Sequence, residues 1–367
     1  MNIHKRIEHN GIEVETPLKG LQVGKLNSDE SVMPEARNVV EIYARADDTK
    51  LRASRGGSDV ISRNLRSPAK RASEDELIVA FVEYTETTPI STENAKELLK
   101  HQSNYGDILA VPLQKELIAA ADDGDGFDTS PVKTFYQNAE TYLQAADTLG
   151  INKPMLGTIP SISAELTDRL YQLYSSHGMD GYCVDFSRRT VTAQTQLTQV
   201  VEPLMGTLGD ANELSSSLIY AVNLLNQDTS GQPETSPEHL FAFTIGFDIV
   251  GDVHASPNIP EDVFEPSEEF KVLDMDADSY RKVQPDALDG YIPSKSAFTP
   301  REIRDKIKAK PKNRFRLRKP VNTELVTEYL DAVDQSTEEL LERLQQSDAA
   351  IDTKLDALDT TIDSVQS

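Results

Sequence analysis

The alternation of strand-like and helix-like segments between residues 74 and 256 constrains the fold of this chain more than any other feature. Apolar, β-branched runs such as DELIVAFVEY (75–84) and GYCVDFSRR (181–189) are separated by amphipathic stretches of helical length. Strands that are separated by helices in this way form a parallel sheet covered on both faces. A closed (β/α)8 barrel and an open, doubly wound sheet both fit this pattern.

The barrel is the preferred interpretation, because no G-x-G-x-x-G or other phosphate-binding loop follows the first strand of this region. The predicted fold class is therefore α/β, with a (β/α)8 TIM-type barrel. Local signals predict single helix ends as well: Ser91 or Thr92 can begin one helix, and Gly150 can end another. A barrel takes about 250 residues, and the chain has 367, so other elements must flank it.

Segments outside the alternating region differ from it in composition. The dipeptide Asn10-Gly11 predicts an N-terminal hairpin, and an acidic stretch broken by prolines after residue 256 predicts an irregular linker. We divide the chain into a hairpin with a basic segment, a barrel body, an acidic linker, a basic arm and a C-terminal helix, at residues 1–72, 73–256, 257–297, 298–329 and 330–367.

The C-terminal helix carries apolar residues at alternating spacings of three and four, which is typical of a coiled-coil seam. This spacing predicts a homo-oligomer or association with a partner protein. The alternative is a helix that packs back on its own barrel. The seam has Asp348 at one core position and runs through Leu330, Leu341, Leu344, Ile351, Leu355, Leu358 and Ile362.

The chain is strongly acidic, with 61 acidic against 37 basic residues and a net charge of -24. Its hydrophobic share of 38% is too high for a disordered acidic chain, so the charge indicates a folded protein that resists aggregation, as in salt-adapted cells. The N-terminus has no apolar run, and no stretch is long enough to span a bilayer. We expect a cytoplasmic protein without membrane contact.

Cys183 is the only cysteine of the sequence. A disulfide within the chain and a zinc site of several thiolates are therefore excluded. No cofactor-binding motif occurs either. The sequence predicts neither a metal nor a cofactor.

One segment departs from the acidic composition: residues 301–319 carry ten basic and two acidic residues. Such a cluster predicts binding to the phosphates of tRNA or DNA, with Phe315 available for stacking on a base. The alternative is a structural arm whose cations pair with the acidic barrel. The predicted nucleic-acid contacts are Lys308, Lys310, Lys312, Arg314, Arg316 and Arg318.

The opening segment HNGIEVETPLKGLQVGKL resembles the start of the tRNA-guanine transglycosylase superfamily, in which a Gly-x-(I/V)-x-T-P motif leads into a barrel. The matching residues are Gly11, Glu15, Thr16 and Pro17. Near the end of the alternating region, SPEHLFAFTIGFDIVGDVH is similar to that family's Pro-Glu-x-Leu helix and Gly-(V/F)-Asp strand. The resemblance covers about residues 7–256 and depends on the order of these short motifs.

The resemblance implies exchange of a guanine in nucleic acid for a 7-deazaguanine, through an aspartate nucleophile. In the family the nucleophile lies three residues after the Asp of Gly-x-Asp, which is Asp248 here. That position is Gly251, and Asp252 follows it, although a shift of one residue reverses the face of a strand. Catalytic competence is therefore left open. The alternative is a non-catalytic nucleic-acid-binding or scaffold subunit that assembles through its C-terminal coiled coil.

Polar residues at the ends of the expected strands are the site candidates, because barrel active sites form at the C-terminal ends of strands. Asp185, Asp248 and Asp252 are the predicted catalytic residues. The even spacing from Asp248 to Asp252 and His254 predicts that these three share one face of a strand. The predicted substrate-binding residues are Glu83, Gln114, Arg188, Asn223 and His254.

Overall fold

A computed structural model gives the fold and describes residues 5–9, 11–122, 124–225, 234–254, 269–333 and 337–345. In chain order the strands are β1 (Arg6–His9), β2 (Ile12–Glu15), β3 (Leu18–Lys19), β4 (Leu21–Gln22), β5 (Val39–Ala46), β6 (Leu77–Tyr84), β7 (Ile108–Ala110), β8 (Met155–Pro160), β9 (Gly181–Asp185), β10 (Leu218–Val222), β11 (Glu234–Thr235), β12 (Ile249–Val250), β13 (Phe270–Asp274) and β14 (Ser279–Val283).

The helices alternate with these strands. They are α1 (Asp48–Arg55), α2 (Val60–Ala69), α3 (Thr92–Ser103), α4 (Lys115–Ala120), α5 (Ser130–Leu149), α6 (Ala164–Ser176), α7 (Gln194–Gln196), α8 (Glu202–Asp210), α9 (Glu238–Thr244), α10 (Pro300–Ala309), α11 (Asn313–Ala332) and α12 (Thr337–Gln345), with a π-helical stretch, Leu197–Val201, between α7 and α8. None of the described helices is both long enough and apolar enough to cross a membrane.

Nine of the strands form one parallel sheet, in the order β3-β12-β10-β9-β8-β7-β6-β5-β4. The two strands at the ends of this order, β3 and β4, are separated in sequence by Gly20 alone. The Gly20 amide donates to the carbonyl oxygen of Val250 on the last barrel strand, at 2.9 Å. The sheet therefore curves into a nearly closed barrel, which is the predicted TIM-type arrangement.

The barrel includes more of the N-terminal region than the sequence indicated. Its first strands, β3, β4 and β5, precede residue 73, where we had set the barrel boundary. The basic segment before residue 73 forms β5, α1 and α2, which are the first strand-and-helix unit of the barrel. Before the barrel, β1 and β2 form an antiparallel pair.

Side-chain alternation along each strand separates an inner from an outer apolar layer. On β6, Val79 and Phe81 belong to a cluster inside the barrel, whereas Ala80 and Val82 pack under the helices. The same alternation on β12 places Ile249 inside and Val250 outside. This parity decides which polar residues at the strand ends face the lumen.

Local signals at the helix ends are confirmed. Ser91 caps α3, where its hydroxyl accepts a hydrogen bond from the Asn94 amide at 3.2 Å. Gly150 ends α5 in the left-handed region, with φ of 63°. A further cap belongs to the basic arm, since Thr299 and Glu302 form a capping box at the start of α10.

The region after the barrel folds over its outside. Strands β11, β14 and β13 form a small antiparallel sheet, so the described part of the predicted irregular linker contains a hairpin. Helix α11 packs across β3, β4 and β13. The basic arm is therefore part of the barrel's outer layer.

The first part of the predicted C-terminal coiled coil packs on the barrel. Helix α11 ends at Ala332, and α12 packs on α9 of the barrel. Leu340 and Leu344 of α12 are buried in this contact. For this part of the heptad pattern, the structure agrees with the alternative interpretation, a helix that packs back on its own barrel. The seam residues Asp348, Ile351, Leu355, Leu358 and Ile362 lie outside the described residues.

Candidate active site

A buried glutamate, Glu41, lies inside the barrel beside the C-terminal ends of β4 and β12. It follows Val39 of the inner cluster by two residues, so alternation along β5 turns its side chain inward. Its carboxylate is fully buried and accepts a hydrogen bond from Tyr220 Oη at 2.5 Å. The Asp252 amide lies 3.3 Å from Glu41 Oε2, and His254 Nε2 lies 3.5 Å from the same oxygen.

The Glu41 carboxylate fits into its position because two neighbouring residues are glycines. A Cβ added at Gly251 would overlap the Glu41 carboxylate and the Tyr220 ring. A Cβ at Gly20 would lie 2.8 Å from Glu41 Oε1, closer than van der Waals contact allows. Glu41 can therefore reach the barrel interior only because the strand segments on its far side lack side chains at these two positions.

The electrostatic surroundings of Glu41 hold it near its titration point at neutral pH. Burial and the negative charge of Asp252 raise the pKa of Glu41 to about 7, although the Lys19 ammonium opposes this shift. Burial and the nearby Lys319 charge lower the pKa of His254 to about 3. At neutral pH the imidazole is thus uncharged, and Glu41 can exchange a proton.

A cavity of about 380 Å³ lies directly against Glu41. Its volume is within the range of small-molecule sites, roughly 300–1,000 Å³. The Tyr43 ring is stacked on the His254 ring, with centroids 4.9 Å apart and an angle of 18° between the planes. The other lining residues come from the segment after β3, from β5 and from α2: Gln22, Gly24, Lys25, Arg45, Asn64 and Pro68.

Two further carboxylates lie across the barrel mouth. Glu83 accepts a hydrogen bond from the Tyr43 hydroxyl and pairs with the Arg45 guanidinium, Nη2 to Oε1 3.1 Å. Asp185 Oδ1 accepts from the Ser187 amide at 2.8 Å, while its Oδ2 has no hydrogen-bond partner among the residues that the structure describes. Burial raises the pKa of Asp185. The space beside Glu83, Asp185 and Arg188 is about 10 Å³, room for a single water.

Asn223 connects the two sides of the mouth. Its Nδ2 donates to Asp185 Oδ1 at 2.9 Å, and its Oδ1 accepts from the His254 amide at 2.9 Å. Asn223 has a φ of 59°, and Ser187 and Arg188 also have positive φ values, of 48° and 69°. Non-glycine residues adopt this conformation at an energetic cost and cluster at functional sites.

The position of Asp252 bears on its predicted role as the nucleophile. Its carboxylate contacts Lys19, Nζ to Oδ1 3.1 Å, and Lys19 points away from the lumen because the preceding Leu18 packs against the inner cluster. The Lys19 and Lys319 charges lower the pKa of Asp252 to about 2. Asp252 therefore lies outside the lumen, and Glu41 is the carboxylate that the structure places inside it.

Asp248 is also misplaced by the sequence interpretation, because it precedes β12 and lies at the N-terminal end of the barrel. Its Oδ2 accepts hydrogen bonds from Lys5 Nζ at 2.9 Å and from the Ile219 amide at 2.7 Å. Burial raises the pKa of Asp248 to about 6. Asp248, Asp252 and His254 therefore do not share one face, and Asp248 lies at the end of the barrel opposite the candidate site.

Gln114 lies outside the lumen as well. Its Oε1 accepts a hydrogen bond from Asn138 of α5 at 2.6 Å, and the preceding Leu113 takes the inward position. Of the predicted set, the structure brings Glu83, Asp185, Arg188, Asn223 and His254 to one mouth.

Sequence reasoning missed Glu41, Tyr43 and Gln22. The run VVEIYARA alternates in the manner of a strand, and Glu41 stands between its apolar residues. The basic residues around this run favour its assignment to a separate basic segment. A charged residue at an inward position of an apolar strand is the signal that could have identified the site.

The predicted nucleic-acid contacts divide into two groups. Arg314 is fully buried, and Arg316 forms a bidentate pair with Glu30, whose pKa this pairing lowers to about 2. Arg318 donates to the carbonyl oxygen of Glu269 at 2.8 Å. Lys308, Lys310 and, in part, Lys312 are exposed at the surface. The arginines thus hold the arm on the barrel, and the lysines remain at its surface.

In the described ranges no group of three or more His, Cys, Asp or Glu side chains is arranged to hold a metal ion. No protein-family model matches the chain, and no curated protein matches it. Among solved structures, the GH53 catalytic domain of Ignisphaera aggregans is similar with a TM-score of 0.34 and 10% identity, over 58% of this chain and 72% of that chain. Function must therefore be inferred from the site itself.

Proposed function

We propose that the chain is a transglycosylase-like enzyme of nucleic-acid base modification, which exchanges a guanine for a 7-deazaguanine in tRNA or DNA. The observation that carries this proposal is Glu41, a lumenal carboxylate with a pKa of about 7 beside a 380 Å³ cavity. A group that titrates near the working pH is suited to general acid and base catalysis, because both of its protonation states are populated.

In the proposed reaction Glu41 moves the protons. Protonated Glu41 donates its proton to the departing guanine as the bond between ribose C1′ and the base nitrogen breaks. The bonding electron pair leaves with the guanine, so ribose C1′ becomes an oxocarbenium centre, which the nitrogen of the incoming base attacks. The resulting carboxylate then removes the ring N–H proton of the incoming base as the new C1′–N bond forms. The glutamate ends in its starting state, so one residue serves both halves of the exchange.

The cavity wall supports a planar substrate. Tyr43 and His254 form a stacked pair at the cavity, and Phe81 packs against the His254 ring with centroids 4.8 Å apart. Proteins commonly hold an unstacked base on aromatic faces of this kind. Because the imidazole is neutral at physiological pH, it can accept or donate a hydrogen bond without adding charge.

Glu41 also lies beside the position of the family nucleophile, although the proposed reaction gives it a different role, that of acid and base. The resemblance leads to a carboxylate at position 251, where this chain has glycine. The Glu41 Oε1 atom lies where a side chain at Gly251 would begin. A carboxylate from β5 thus takes the place in the barrel that the final strand leaves empty.

The test replaces Glu41 by glutamine and measures the incorporation of labelled guanine or 7-deazaguanine into tRNA and DNA. We expect E41Q to lower the exchange rate by about 10²–10⁴-fold, the usual contribution of a general acid or base. Glu93→Gln, at an exposed position in the first turn of α3, is the matched control and should leave the rate unchanged. Exchange at the wild-type rate in E41Q would remove Glu41 from the mechanism.

A second candidate, a non-catalytic nucleic-acid-binding subunit, is favoured by one observation. Phe315 is 39% exposed and lies beside the Arg314 and Arg318 guanidinium groups on α11, which the partly exposed Lys312 immediately precedes. The same assay separates the two functions. Wild-type protein that binds oligonucleotides in a salt-dependent manner but exchanges no base would support the binding subunit.

A further inference from the structure

The cavity beside Glu41 has an excess of positive charge in a chain whose net charge is -24. Lys25 lines the cavity and is partly buried. Its ammonium group forms no ion pair or side-chain hydrogen bond with any residue in the described ranges. Lys25 is therefore a cation at a cavity wall without an ion-pair partner among the described residues.

A second cation nearby also lacks a carboxylate partner. Lys319 of α11 donates hydrogen bonds to Gln22 Oε1 at 2.6 Å and to the carbonyl oxygen of Val253. Both acceptors are neutral, and no described carboxylate lies within ion-pair distance of its ammonium group. Burial lowers the pKa of both Lys25 and Lys319, the latter to about 8, and the Asp252 charge only partly opposes this shift.

Among the described residues no carboxylate forms an ion pair with Lys25 or Lys319, although the Asp252 charge acts on both from a longer distance. Asp252 is bound to Lys19, and Glu41 is partly protonated at neutral pH. Arg45, at the cavity rim, pairs with Glu83 and remains half exposed. A partly buried cation without a partner costs stability unless a bound anion compensates for it.

We propose that this cavity binds a phosphate group, with Lys25 as its direct contact and Lys319 and Arg45 contributing positive potential. The phosphate would lie at the open side of the cavity, and the base would lie against Tyr43 and His254. That the phosphate belongs to a guanosine nucleotide rests on the proposed function, whereas the anion site itself does not. The source is either a free mononucleotide or a nucleic-acid strand.

The test compares guanosine with guanosine 5′-monophosphate by titration calorimetry at constant ionic strength. We expect the wild-type protein to bind the monophosphate at least tenfold more tightly than the nucleoside. Lys25→Met should remove most of this preference, by about tenfold, and leave guanosine affinity unchanged. Lys25→Arg should restore it. A guanine-containing trinucleotide that binds more tightly than the monophosphate would identify a strand as the source, and equal affinity would identify a mononucleotide.

Lys100→Met is the matched control, because Lys100 is an exposed lysine of α3 and does not line the cavity. Equal wild-type affinities for guanosine and its monophosphate, or an unchanged ratio in Lys25→Met with an unchanged melting temperature, would overturn the anion site. Wild-type protein that shows the phosphate preference but exchanges no base would overturn the proposed function and leave the anion site standing.

Discussion

Glu41 and Asp252 come within hydrogen-bonding distance of each other, yet one faces the lumen and the other faces the outer layer. Their environments push their pKa values in opposite directions, to about 7 and about 2. Such a divergence is a usual mark of acid and base assignments in an active site. At the residue scale, only the side chain that faces the lumen can contact a molecule bound there, and this side chain is Glu41.

Asp252 is expected to contribute to the stability of the folded protein. Replacing it by asparagine leaves the buried Lys19 ammonium without its ion-pair partner, which typically costs about 3–5 kcal/mol. We expect D252N to lower the free energy of unfolding by that amount in urea titrations. The double variant Asp252→Leu with Lys19→Met should recover much of the loss, because no buried charge remains. Unchanged stability in D252N together with lost base exchange would instead return Asp252 to the mechanism.

At the scale of elements, α12 is expected to protect the barrel through its contact with α9. A chain truncated after residue 333 loses the buried Leu340 and Leu344, each worth roughly 1.5–3 kcal/mol. A chain truncated after residue 345 keeps them and loses the rest of the heptad pattern. We expect the first truncation to lower the melting temperature and the second to leave it unchanged.

Sedimentation of the same two truncated chains tests the predicted oligomer. If the heptad residues beyond Gln345 form a coiled coil, the full-length protein is an oligomer and both truncated chains are monomers. Equal masses for the full-length chain and the chain ending at residue 345 would exclude a coiled coil. Equal melting temperatures for the two truncated chains would show that α12 does not stabilise the barrel.

How far the sequence predicts these elements depends on the range of the signals. Ser91 and Gly150 were placed correctly, because a cap depends on residues a few positions away. The barrel class followed from the repeated alternation of strand and helix. The strand β5 was missed because its membership depends on pairing with β4 and β6, which the surrounding basic residues do not indicate. The site was therefore predicted in part, with its central residue absent.

At the scale of the whole molecule, Glu41 should make stability depend on pH. The folded state holds its proton up to a pKa of about 7, whereas the unfolded chain releases it near 4.5. Between these values the folded state binds more protons, so the free energy of unfolding falls as the pH rises through this window. The loss amounts to roughly 3 kcal/mol or less. E41Q removes this contribution.

The measurement compares melting temperatures of E41Q and the wild type at pH 5 and pH 8. The variant should gain stability relative to the wild type at pH 8, and much less at pH 5. Asp248, with a pKa of about 6, titrates in both proteins and cancels in the comparison. A difference that is the same at both pH values would mean that Glu41 titrates normally in the folded state.

The barrel closes at Gly20, between β3 and β4, and formation of the site therefore depends on the order in which the chain folds. Leu18 pairs with Ile249, so strands from opposite ends of the barrel sequence must meet before the ring is complete. Glu41 is enclosed between the segments that carry Gly20 and Gly251, which meet where the barrel closes. A chain still emerging during synthesis can form β5 and β6 early, yet it leaves Glu41 hydrated until the last barrel strand arrives. The raised pKa of Glu41 would then appear only when the barrel closes. The titration of this residue would therefore report complete folding.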